Sequence, residues 1–300
     1  MLKLGIHPLI VRIINTWYST QMFKVRWASS ISSGFTVRNG TRQGSILSPV
    51  FFNIYMDDLS VKLQSMPIGC YINDTCFNHV MYADDAVLIA PSPSALQELV
   101  DVCQTFVTEN DLQLNKTKSK FMIVKNEIIQ GLACPELCIN DKAMKRVSSI
   151  KYLGVFLSEE CTDDESMMKC IRGIFARGNL IKKKFSQCNR DVKITLFQSY
   201  CSNLYCCALW NVFKQQSYQK VKISHNKVFR FISNCDRQDS ISRQFVRFNV
   251  PNCDVIRRKA IFSLYNRILC SSNELIVSIL NSVSFVTSTL FTYWLRILYP

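Results

Sequence analysis

Tyr82-Ala83-Asp84-Asp85 places two adjacent carboxylates between short apolar runs, Val80-Met81 on one side and Ala86-Val87-Leu88-Ile89-Ala90 on the other. Apolar β-formers flanking a tight acidic pair define a β-hairpin with the acids at its turn. Neighbouring carboxylates repel each other and are costly to hold beside apolar strands. A cation relieves that cost. Hard carboxylate oxygens suit Mg²⁺, which keeps waters and takes substrate phosphates as its remaining ligands. The chemistry such a pair offers is phosphoryl transfer at a metal. A solvated Ala-Asp-Asp hairpin tip accounts for the same four residues.

Two further stretches carry ligand-binding patterns. In Asn39-Gly40-Thr41-Arg42-Gln43-Gly44-Ser45-Ile46-Leu47-Ser48-Pro49, two glycines four apart bracket a loop whose backbone can approach a ligand closely. Ser48 as cap and Pro49 in the first turn open a helix that carries Phe51, Phe52, Ile54, Tyr55 and Leu59 and stops before Pro67. Such a loop can position a nucleotide or base pair, and it also reads as a polar loop with a cap. Lys116, Lys118 and Lys120 alternate into a strand over 121–124. They form a solvated face or, beside an acidic metal site, meet phosphates.

The remaining elements are scaffold. Pro8 opens a helix with Leu9, Ile10, Ile13, Ile14 and Trp17 as its apolar face. Residues 22–27 and 35–38 read as strands joined by a Ser-rich bend. Ser94 and Gln97 form a capping-box pair for a helix with the stripe Leu96, Leu99, Val100, Cys103, Phe106 and Val107, ending at an Asn110-Asp111 turn. Residues 151–157 read as a strand whose internal Gly154 marks close backbone approach. From about residue 166 the pattern is helical and basic, and most of its aromatics read as core.

Charge separates the halves. Residues 1–160 hold 15 Lys and Arg against 14 Asp and Glu, whereas residues 161–300 hold 21 against 8. A basic excess confined to one half suits a polyanionic partner. A hydrophobic fraction of 48% excludes a disordered chain. The 14 cysteines show no zinc spacing and, with no secretory pattern at the N-terminus, read as reduced thiols of an intracellular protein, nuclear or cytoplasmic. Residues 275–295 carry no charge but eight Ser, Thr and Asn side chains, which favours a buried terminal helix over a membrane span.

The ordered set is specific where its members are not. Gly40-x-x-Gln43-Gly44-Ser45-x-x-Ser48-Pro49, then Tyr82-Ala83-Asp84-Asp85, then Leu114-Asn115-x-x-Lys118-Ser119-Lys120, then Tyr152-Leu153-Gly154 closely resembles the reverse transcriptase of non-LTR (LINE-like) retrotransposons. The resemblance covers residues 1 to about 160 and extends more loosely beyond. It implies an α+β fold: a right-hand polymerase palm over 1–160, an antiparallel sheet with helices behind it, then a helical basic thumb and linker region over 161–300. It implies RNA-templated addition of deoxynucleoside triphosphates to a DNA primer by two Mg²⁺ ions, one activating the primer hydroxyl and the other neutralising the triphosphate. By the same resemblance Asp84 and Asp85 are metal ligands, and Tyr82 lies under the primer terminus. Gln43 and Gly44 face the nascent base pair and template, Lys118 stands near the pyrophosphate, and Tyr152, Leu153 and Gly154 grip the primer.

Two departures qualify that expectation. Asp111 stands where the family has glycine, a change the turn tolerates. The family's other metal-binding aspartate precedes the Gln-Gly loop, whereas no Asp or Glu here precedes Asp57. The expectation is therefore an N-terminally truncated palm and thumb that does not polymerise as this chain alone. The alternative is a non-catalytic nucleic-acid-binding protein derived from a retroelement.

Overall fold

The computed structural model describes the chain except Arg38, Asn39, Gln43, residues 126–134, Arg237 and Pro300. Helices and short two-stranded pairings make an α+β architecture. Packing divides the chain into two units, residues 1–70 with 76–113 and residues 71–75 with 114–300. The composition changes near residue 160, but the packing changes at 113–114. Residues 114–160, with 8 Lys and Arg against 5 Asp and Glu, bond onward to the helices: Ser149 donates to Glu165 at 2.6 Å, and the Phe156 N–H to the Ser166 hydroxyl at 3.1 Å.

In the first unit, helix α1 (Pro8–Ser19) starts at its proline, with the His7 ring accepting from the Leu9 N–H. Its inward side is Val11, Ile14 and Tyr18; Leu9, Ile10, Ile13 and Trp17 are exposed, so only part of the expected apolar face is used. Strands β1 (Met22–Phe23), β2 (Arg26–Trp27), β3 (Ser30–Ile31) and β4 (Phe35–Thr36) form a nested ribbon, β1 with β4 and β2 with β3. Helix α2 (Ser48–Gln64) begins one residue earlier than expected. Leu47 occupies the cap position, and the Ser48 hydroxyl instead donates to the Arg42 carbonyl at 2.5 Å, tying the preceding loop to the helix.

Strands β5 (Cys70–Ile72) and β6 (Thr75–Phe77) precede the hairpin of β7 (His79–Tyr82) and β8 (Asp85–Leu88). Helix α3 (Pro93–Glu109) is capped by Ser92, which accepts from the Ala95 N–H; the expected Ser94–Gln97 box does not form, because Pro93 already fixes the first turn and Gln97 turns to Asp101. Leu99, Val100, Cys103, Phe106 and Val107 of the expected α3 stripe are buried and Leu96 is half-buried; on α2, Leu59 and Leu63 are buried while Tyr55 is exposed. Each large side chain so buried contributes about 1.5–3 kcal/mol. Asp111 takes the left-handed turn, φ 54°.

The second unit opens with β9 (Lys120–Phe121), shorter than expected and paired in parallel with β12 (Lys145–Arg146). Strands β10 (Cys138–Ile139) and β11 (Lys142–Ala143) form one hairpin, β13 (Ser149–Tyr152) and β14 (Val155–Ser158) another. Residues 151–157 are therefore a hairpin rather than one strand. Leu153 at φ 44° and Gly154 at φ 86° both adopt the left-handed region, which reverses the chain in two residues.

The helices follow: α4 (Asp164–Lys184), α5 (Arg190–Tyr200), α6 (Gln215–Ser233), α7 (Ile241–Arg247) and α8 (Cys253–Leu269). Met167, Ile174, Ile181, Phe197, Cys201, Val221, Val228 and Phe229 are buried in one core. Gly178 lets α4 and α6 touch, since a Cβ there would lie 2.4 Å from a Val228 methyl. Tyr218 and Phe229 are core as expected, whereas Phe185 and Phe231 are exposed.

The uncharged stretch 275–295 is not one buried helix. Caps at Asn273, Ser282 and Ser288 divide it into α9 (Glu274–Leu280), α10 (Val283–Val286) and α11 (Thr289–Leu298), and Trp294 anchors the last by donating to the Ala208 carbonyl at 2.8 Å. Among the described residues no helix is long and apolar enough to cross a membrane. The described cysteines are free thiols; Cys134 lies outside the described residues.

Candidate active site

The acidic hairpin is anchored at its base and open at its tip. Asn78, 3% exposed, donates from Nδ2 to the Leu63 carbonyl of α2 at 2.6 Å. Its Oδ1 therefore faces His79 Nδ1 at 2.7 Å and fixes the proton there, which leaves Nε2, 2.8 Å from the Ser60 hydroxyl, as acceptor. Burial lowers the His79 pKa, consistent with a neutral ring. The Ile89 N–H returns to the Asn78 carbonyl at 2.8 Å, so both strands are tied to the same residue.

Tyr82 pairs with Asp85 across the turn, and Ala83 and Asp84 form the turn itself. Opposed residues of a hairpin project to the same face, so the Tyr82 ring and the Asp85 carboxylate share one side with Val80 and Val87. Ala83 sits at φ 52°, a conformation that carries about 1–2 kcal/mol of strain for a residue with a Cβ. Tyr82, Asp84 and Asp85 are exposed, and among the described residues neither carboxylate has an ion pair or hydrogen-bond partner.

The donor chemistry suits a hard divalent ion, but two carboxylates are an incomplete set. Among the described residues no group of three or more His, Cys, Asp or Glu side chains could hold a metal. The pair by itself does not make a metal centre, and no reaction step is derived through one.

Gly44, in the same unit, has φ 81° with nothing within 4 Å of where a Cβ would stand. It is required there for backbone conformation rather than for crowding. Gln43 lies outside the described residues.

The other expected site residues belong to the second unit. Lys118 is exposed, on a turn closed by Asn115, whose side-chain oxygen accepts from the Lys118 N–H at 3.1 Å and from the Thr117 hydroxyl at 2.8 Å. Tyr152, Leu153 and Gly154 form the tip of the β13–β14 hairpin. The Tyr205 hydroxyl donates to the Leu153 carbonyl at 2.7 Å, and Lys169 Nζ donates to the Gly154 carbonyl at 2.6 Å while lying 5.4 Å from the Phe156 ring centre. Sequence reasoning missed this pair, as it missed Ser60, Asn78 and His79. A lone tyrosine and a lysine in a helix carry no local signal, whereas Asn78-His79 directly before the apolar run offered a faint one.

Residues 2–157, just over half of the chain, match the family Reverse transcriptase (RNA-dependent DNA polymerase). The chain therefore belongs to the reverse transcriptase family, whose members copy nucleic-acid templates from nucleotide substrates and generally use divalent metal ions. It is related to the RNA-directed DNA polymerases of non-LTR retrotransposons. It is 22% identical over 237 residues to the RNA-directed DNA polymerase from mobile element jockey of Drosophila funebris, covering 75% of this chain and 25% of that protein. It is 32% identical over 130 residues to the Pol polyprotein of the type-2 retrotransposable element R2DM of Drosophila melanogaster, covering 41% of this chain and 12% of that protein. The probable RNA-directed DNA polymerase from transposon X-element of Drosophila melanogaster is 20% identical over 234 residues, 75% of this chain and 25% of its own length. The chain thus spans about a quarter of the jockey and X-element polymerases.

Proposed function

We propose that this chain is the palm and thumb portion of an RNA-directed DNA polymerase of a non-LTR retrotransposon, palm over 1–160 and basic helical thumb and linker over 161–300. The observation that carries this reading is the Tyr82–Asp85 cross-turn pair, which leaves both carboxylates exposed and, among the described residues, without a partner, in a chain whose residues 2–157 match the family. Asp84 and Asp85 would offer oxygens to Mg²⁺, which when bound would supply Lewis-acid activation of a primer hydroxyl and neutralisation of a triphosphate. Tyr82 supports the primer terminus from the Asp85 face. Gln43 and Gly44 meet the nascent pair and the template. Lys118 offers its ammonium to the pyrophosphate, and residues 152–154 hold the primer. Among the described residues no third such group stands with the two carboxylates, so this chain alone is expected to bind substrates without extending them.

The second reading is a nucleic-acid-binding protein without catalysis. It is favoured by the net charge of +13 over 161–300 and by aromatic rings set among cations there. Lys182 lies 3.9 Å from the Phe231 ring centre, and Phe248 has Arg190 at 5.8 Å and Arg247 at 5.4 Å. Such surfaces track phosphates and stack on bases.

Primer extension on an RNA template with Mg²⁺, beside Asp84→Asn, separates the possibilities. No incorporation with retained binding supports the incomplete site. Incorporation abolished by Asp84→Asn shows that the missing ligand is supplied by a group not recognised above. Binding through about six phosphates would weaken about a thousandfold between 50 and 200 mM salt; an affinity indifferent to salt would contradict both readings.

A further inference from the structure

The tip of the β13–β14 hairpin is held from outside the segment that defines the family. Its two reversing residues, Leu153 and Gly154, both sit at positive φ, and Leu153 does so despite its Cβ while remaining 39% exposed. A strained, exposed apolar residue at a turn persists only where surrounding contacts over-determine it. Here two contacts do so. The Tyr205 hydroxyl takes the Leu153 carbonyl, and Lys169 takes the Gly154 carbonyl. The Tyr205 ring also lies against Gly154, with a ring carbon 3.1 Å from where a Cβ would stand, so a larger residue there would be strained at φ 86° and would press on the clamping ring by a few tenths of an ångström. Lys169 stands on α4 and Tyr205 in the segment after α5, 12 and 48 residues beyond the end of the family match at residue 157.

We propose that Lys169 and Tyr205 are positioning residues that fix the 152–154 turn for contact with a nucleic-acid strand. This rests on the reading of that turn as a primer-holding element. The two donors engage the carbonyls of both reversing residues, so each is tied to the fold. The Leu153 side chain and the turn's outer edge are then presented in one conformation. A turn held before binding spares the ordering entropy that a loose turn would lose on contact. Lys169 adds a charged donor, whose hydrogen bond is stronger than that of a neutral one.

The test uses the full chain with Tyr205→Phe, Lys169→Met and Lys169→Arg. Two readouts are taken on each: hydrogen exchange at the Val155 amide, which closes the hairpin opposite Tyr152, and affinity for a defined RNA-template/DNA-primer duplex in low salt. Tyr205→Phe and Lys169→Met are expected to speed exchange about fivefold to tenfold and to weaken duplex binding by a similar factor, with unchanged thermal unfolding. Lys169→Arg is expected to restore both. Faster exchange with unaltered affinity would overturn the positioning role, as would unaltered exchange in both variants. If the unsubstituted chain fails to bind the duplex, the nucleic-acid reading itself falls, and the exchange data separately show whether the clamp exists.

Discussion

Ser60 on α2 and His79 on β7 meet at 2.8 Å through a ring nitrogen that can only accept, because Asn78 holds the proton on the other. The acidic hairpin is thus keyed to helix α2 by one oriented chain of hydrogen bonds. Asn78→Ala removes both side-chain links and leaves the ring N–H without its acceptor. The expected loss is about 1–3 kcal/mol in the first unit. It should be visible as faster exchange at the Ile89 amide; protection equal to that of the unsubstituted chain would contradict the keying.

Asp84 carries no structural duty. It is exposed and, among the described residues, has no partner, so Asp84→Asn should change stability by no more than about 0.5 kcal/mol, while any metal-dependent activity disappears. A fall in the unfolding midpoint beyond that range would show that the carboxylate is engaged in the fold.

The α4–α6 contact is sensitive to one carbon. Gly178→Ala brings a methyl within 2.4 Å of Val228 and is expected to destabilise the second unit by about 1–3 kcal/mol. Val228→Ala alone should also destabilise, by opening space. The double variant should be more stable than the sum of the two predicts, and urea midpoints of the four proteins measure that coupling. Strict additivity would mean that the helices separate instead of clashing.

His225 gives the second unit a pH dependence. It is fully buried between the rings of Phe197 and Phe245, its Nδ1 has no partner among the described residues, and burial pushes its pKa down from 6.5 to about 4. The unfolded chain therefore takes up the proton first. Stability is full above pH 6.5, falls as pH drops toward 4, and is flat in this group below that. The loss over the window is about 3 kcal/mol. Urea midpoints from pH 7.5 to 4 should show it, and His225→Phe should flatten the slope; an equal slope in that variant would assign the effect elsewhere.

The parts legible in the sequence were those with local signatures. The apolar runs around Tyr82–Asp85 have strand period and a tight acidic turn, and the hairpin formed there. Pro8 and Pro49 mark helix starts because proline fits only the first turn. What local reasoning missed lies in competition between neighbours. Ser94 lost its cap to Ser92, two residues away and better placed before Pro93. The uncharged run 275–295 looked continuous by hydropathy, but Ser282 and Ser288 accept backbone N–H bonds and restart the helix twice. The apolar face of α1 turned out rotated toward Val11, Ile14 and Tyr18, since the side a helix buries is set by its neighbours and not by its own sequence.

The hairpin at 152–154 bears on modularity. The family match ends at residue 157, inside a compact unit that runs on from residue 114, and the groups bracing the hairpin come from positions 169 and 205. The stretch covered by the family match is therefore not a mechanically autonomous piece. A protein cut at 157, or a chimera joined there, would carry the hairpin without its braces, so segment exchange with related chains should keep residues 114 to at least 205 from a single parent.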